Sequence, residues 1–79
     1  MHVAALARTD DPAKANALLI RARERNRSTL ASAKPVTEKV HRGEDTVYRA
    51  RFAMLDSTAA ESACRSLKQN GFSCFPARD

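Results

Sequence analysis

The stretch TVYRARF, residues 46–52, alternates strictly between two kinds of side chain. On a strand, Tyr48, Ala50 and Phe52 share one face, while Val47, Arg49 and Arg51 share the other. The first set is a core face. The second sets two long cations beside each other, which suits a sheet whose other side is left uncovered.

Working outward from this strand, PVTEKV (35–40) also alternates and reads as a strand. Between the two, HRGED (41–45) supplies a turn, with Gly43 able to take a positive φ, so the pair forms a hairpin. Downstream, LDSTAAESACRSLKQNG (55–71) reads as a helix. Thr58 and Glu61 have the spacing of a capping box, and Gly71 stands where a left-handed helix end is wanted. Ala60, Ala63, Cys64 and Leu67 form its buried stripe. FSCFPAR (72–78) closes the chain as a strand, which Pro76 confines to a sheet edge.

Upstream, RSTLASAKP (27–35) is a connector with Leu30 as its anchor to the core. TDDPAKANALLIRARERN (9–26) is a helix capped by Asp11, with Pro12 at its first position and Ala15, Leu18, Leu19 and Ala22 as its buried stripe. Arg21, Arg23, Arg25 and Arg27 read as its wet side and its last turns, where a helix tolerates cations. MHVAALA (1–7) is short and apolar, and reads as the first strand. The order β-α-β-β-α-β predicts an α+β, ferredoxin-like fold: a four-stranded antiparallel sheet with two helices on one face. Arg49 and Arg51 then stand on the open face.

Size and composition narrow the function. Seventy-nine residues make a single domain, 1–79, with a modest core. The formal charge of +5 favours anionic partners. No apolar run is long enough to span a bilayer, and the N-terminus lacks the basic and apolar regions of a signal peptide. Met1 fits a start codon placed on a domain excised from a longer protein. His2 and His41 are far apart and no C-x-x-C occurs, so neither metal nor cofactor is expected. Ser57, Ser62, Ser66 and Ser73 have no neighbouring histidine, and Gly43 and Gly71 are the only glycines. Nucleophilic catalysis and phosphate cradling both lack their parts, so the chain is not expected to be an enzyme.

The segment YRARFAMLDSTAAESACRSLKQNGFSCF (48–75) resembles the second half of the SPOR domain. That family carries a strand close to Tyr-Arg-Val-Arg-Val, a capped helix ending Leu-x-x-x-Gly, and a last strand. Tyr48, Arg49, Arg51, Leu67 and Gly71 match as they stand, and NALLIRA (16–22) resembles the family's first helix. The resemblance implies a bacterial periplasmic module that binds peptidoglycan, preferring glycan strands stripped of stem peptides at the division site. It further implies a monomer tethered to a larger secreted or membrane-anchored protein, without membrane insertion by this segment. The cysteine positions and the YRARF variant are similar to those at the C-terminus of secreted D-alanyl-D-alanine carboxypeptidases.

On this reading Arg49 and Arg51 contact the ligand. A guanidinium can donate to sugar hydroxyls, acetamido carbonyls and the lactyl carboxylate that a muramyl sugar exposes once its peptide is removed. The family's first strand often reads Val-Gln-Leu-Gly-Ala-Phe, with the Gln on the binding face. Here Ala4 and Leu6 are expected at those places, and Ala53, Met54 and Leu55 replace a Gly-Pro-Phe turn. Ser73 and Phe75 join the site if Phe72 and Cys74 point inward; the opposite register would bury Phe75. RNA or DNA binding competes, because the RNA-recognition module has the same topology. Its stacking aromatics have no equivalent here, since Tyr48 and Phe52 point inward, and no nucleic acid is expected.

Cys64 and Cys74 are predicted to be joined. The helix descends from Cys64 to Gly71 by roughly 10 Å, and the chain climbs back to Cys74 by about the same amount. The periplasmic location that the resemblance implies would favour oxidation. Two buried thiols packing as small apolar groups are the competing reading.

Overall fold

A computed structural model describes residues 1–78. The chain runs β1 (His2–Thr9), α1 (Pro12–Arg25), β2 (Lys34–Arg42), β3 (Asp45–Leu55), α2 (Ser57–Gln69) and β4 (Phe75–Arg78). The strands form one antiparallel sheet in the order β2-β3-β1-β4. This is the α+β, ferredoxin-like arrangement expected from the alternation of TVYRARF and its neighbours.

Local chemistry sets the element ends. Asp11 caps α1, its Oδ1 accepting from the Ala13 N–H at 2.9 Å, with Pro12 at the first position where no N–H is missed. The start of α2 differs from the expected capping box. Asp56 is the cap, accepting from the Ala59 N–H at 2.7 Å, and Thr58 already lies inside the helix. An aspartate two positions upstream reaches the same orphan donors and carries a charge that suits the positive helix end. Gly43 (φ 61°) is the first of two loop residues between Arg42 and Asp45, and Gly71 (φ 87°) turns the chain out of α2.

Both helices pack on one side of the sheet. Their stripes, Ala15, Leu19 and Ala22 from α1 and Ala60, Ala63, Cys64 and Leu67 from α2, meet Ala4, Leu6, Ala50, Phe52 and Leu55 from the strands. Leu30 anchors the connector at zero exposure. The many alanines let α2 approach the sheet closely, and the Cys64 and Cys74 Cα atoms stand 5.1 Å apart, joined by a disulfide. The helices are also linked by a polar contact. Asn26, buried at the end of α1, donates to the Ala22 carbonyl and accepts from the Ser66 hydroxyl of α2 and the side-chain amide of Asn70, which caps that helix. A buried amide with each of these groups satisfied fixes the relative position of two helix ends that apolar contact alone would let slide.

Two irregularities reshape β1. Ala5 pairs with Arg51 but Ala7 with Ala50, so Leu6 is an extra residue in the ladder. Near its start, Ala53 and Met54 together oppose Val3, and Met54 takes a positive φ of 66°. Both bulges decide which side chains reach the open face.

Candidate functional site

The face opposite the helices is built in rows, since directly paired residues share a side. One row holds Phe75, Ala5, Arg51 and Val36; the next holds Arg8, Arg49 and Glu38; beyond them come Val47 with Val40, then Arg42 with Asp45. Phe75 is 58% exposed although it is aromatic. It lines a shallow depression with Ala5, Arg8, Arg49 and Arg51. A second depression is lined by Arg8, Arg42 and Arg49, with Val40 and Val47.

Arg49 and Arg51 lie on this face but are not equivalent. Glu38 on β2 receives both. Its Oε1 lies 3.3 Å from Arg49 Nη1, and both of its oxygens lie 3.3 Å from Arg51 Nη1. The Arg51 side chain is only 10% exposed, against 36% for Arg49. Arg51 therefore lies flat beneath the surface and neutralises Glu38, while Arg49 keeps a side open to a ligand. By contrast, Arg8 and Arg42 are exposed and make no ion pair or hydrogen bond among the described residues.

Three residues expected at the site lie elsewhere. Ala4 and Leu6 point into the core at 0% and 4% exposure, and Ala5 takes the outward place. The reason is phase: a run of small apolar residues packs equally well with either parity, and the pairing of Ala4 with the inward Phe52 settles it. Ser73 precedes β4 and is exposed in a separate groove with Leu18, Arg21, Arg25 and Phe72, away from Phe75. The chain between Gly71 and Phe75 is not a strand, so the expected alternation of Ser73 with Phe75 has no sheet to hold it.

Arg8, Glu38 and Arg42, charged residues of the face, were not singled out from the sequence. In an alternating strand Arg8 would share the parity of Ala4 and Leu6 and point inward with them. The extra residue at Leu6 and Ala7 turns it outward opposite Arg49. Glu38 and Arg42 did carry a signal, since the hairpin register follows once its two-residue loop is placed at Gly43 and Glu44. Among the described residues no three His, Cys, Asp or Glu side chains gather as a metal site, and no helix is long and apolar enough to cross a membrane.

A family model described as SPOR domain matches residues 3–78. Among solved structures the chain is similar to the crystal structure of the RlpA SPOR domain from Pseudomonas aeruginosa. The TM-score is 0.77 at 15% identity, with all of both chains covered. No curated protein matches the sequence.

Proposed function

We propose that this chain, which belongs to the SPOR domain family, binds denuded peptidoglycan glycan strands across its open sheet face. SPOR domains are non-catalytic, peptidoglycan-binding modules. The observation that supports this placement is the uncovered face itself, where an exposed Phe75 lies beside Ala5 and the outward side of Arg49. An aromatic ring offers an apolar platform to the flat face of a sugar, and the guanidinium fork donates to hydroxyl and carbonyl oxygens around it. An elongated, shallow face suits a polymer better than it suits a small molecule, which a deep pocket would enclose.

In this reading the domain targets a larger periplasmic protein to the wall or to the division site. The similarity of its cysteine positions to those of secreted D-alanyl-D-alanine carboxypeptidases makes such an enzyme the first parent to test. Catalysis would then belong to another domain of that parent.

Co-sedimentation with purified sacculi, before and after amidase treatment, tests the proposal. The domain should pellet with stripped sacculi and much less with intact ones, and Phe75→Ala should weaken pelleting while leaving thermal unfolding unchanged. Pelleting that ignores amidase treatment, or a domain that stays in solution with both, contradicts it.

A further inference from the structure

We propose that the pocket formed by Arg8, Arg42 and Arg49 at the hairpin end of the open face is an anion subsite. Its ligand is the lactyl carboxylate of a muramyl sugar whose stem peptide has been removed. The inference rests on the glycan reading of the face and specifies which part of the glycan is recognised, and where.

The open face has two kinds of cation. Arg51 is held under the surface by Glu38, which also takes one nitrogen of Arg49. Neither Arg8 nor Arg42 has a partner among the described residues, and Asp45, opposite Arg42 in register, makes no ion pair with it. Three arginines therefore line one depression of about 250 Å³, and of the three only Arg49 has a carboxylate beside it, Glu38 at 3.3 Å. Like charges held together are relieved by an anion, and planar forks suit a carboxylate, which can take two parallel N–H donors.

The walls add a second match. Val40 and Val47 line the same depression. A lactyl group is a carboxylate on a carbon that also bears a methyl, so the methyl has valine surface to rest on while the oxygens meet arginine. The near edge of the pocket, the row of Arg8 and Arg49, lies two residues along β3 from the Phe75 row, roughly 7 Å away, and the row of Val40 and Val47 lies two residues farther. A sugar stacked on Phe75 and a neighbouring muramyl carboxylate can thus be held together.

Selectivity then follows from charge. While a stem peptide is attached, the lactyl carboxyl is an amide, neutral and with one oxygen fewer to accept. Removing the peptide by hydrolysis restores the carboxylate. The domain would then read the product of the amidase reaction chemically as well as sterically.

Equilibrium binding of soluble glycan strands tests this with three preparations. These are amidase-stripped strands, the same strands with their carboxylates capped as methylamides, and N-acetylglucosamine oligomers that have no lactyl group. Wild-type protein should bind stripped strands at least tenfold more tightly than either of the others. Arg8→Gln/Arg42→Gln should bind stripped strands about as weakly as wild type binds capped ones, with no further loss on capping. Both side chains are exposed, so the variant should unfold at the wild-type temperature. Equal wild-type affinity for stripped and capped strands, or a variant that still discriminates between them, overturns the subsite while leaving the glycan reading in place. Wild-type protein that binds none of the three overturns both. Tight binding of a single-stranded oligonucleotide, lost in the variant while glycan binding persists, assigns the pocket to a phosphodiester partner instead.

Discussion

Arg51 and Arg8 occupy adjacent rows of one sheet face, yet their surroundings are opposite. Arg51 lies at the end closed by β4, nearly buried and spanned by both oxygens of Glu38. Arg8 lies toward the hairpin end, exposed and with no partner among the described residues. The Arg51–Glu38 contact ties β3 to β2 and the Cys64–Cys74 bridge ties α2 to the chain entering β4, and Arg8 and Arg42 take part in neither. Residue type therefore does not distinguish a structural cation from one available to a ligand. Burial and the presence of a carboxylate do.

Five variants would break or sharpen that contrast. The largest effect is expected from Cys64→Ala/Cys74→Ala. The bridge closes a loop over a sequence separation of 10, and its loss should cost about 2–3 kcal/mol in denaturant unfolding. Unchanged stability would show that the β4 end is held without it. Next, Arg51→Ala should cost about 1–2 kcal/mol, because packing of its buried stem is lost along with a pair that solvent partly screens. Its effect on glycan binding should be small once the folded fraction is corrected for. If Arg51→Ala abolished binding in fully folded protein, Arg51 would be a contact residue after all.

A smaller change of opposite sign is expected at Met54. Its φ of 66° is a conformation that a side chain with a Cβ resists and glycine accepts. Met54→Gly should raise stability by about 0.5–1 kcal/mol, read as an upward shift in melting temperature. A fall would mean that the Met54 side chain contributes more than the backbone costs. Smallest of all, Arg8→Ala and Arg42→Ala should each leave stability within about 0.5 kcal/mol of wild type. A larger loss would place these two with Arg51 and dissolve the distinction between the ends.

The sequence was most legible where neighbouring residues differ most. TVYRARF has a large apolar or a charged group at nearly every position, so only one phase buries Tyr48, Ala50 and Phe52 and the face of Arg49 follows. Both helices were similarly plain, because their stripes repeat at helical spacing. HVAALA offers no such contrast: either parity buries small apolar groups, so Ala4 and Leu6 could not be oriented from composition. A bulge then added what a pattern of period two cannot express, since it turns Arg8 outward against the parity of its own strand. The Arg51–Glu38 pair was hidden for another reason. It joins residues 13 apart in sequence, and it required the exact hairpin register before Glu38 could be seen opposite Arg49. The Cys64–Cys74 pairing was accessible because the chain returns to the level of Cys64 within a few residues of Gly71, although that return is not the strand the alternation suggests.

The most direct test of the glycan-binding face is a titration of isotope-labelled protein with stripped glycan strands, followed by amide and arginine side-chain NMR signals. The account predicts that the largest shifts fall on Ala5, Arg8, Arg42, Arg49 and Phe75, with α1 and α2 nearly silent. Shifts centred instead on Leu18, Arg21, Arg25, Phe72 and Ser73 would place the ligand in the groove on the helix side and contradict it.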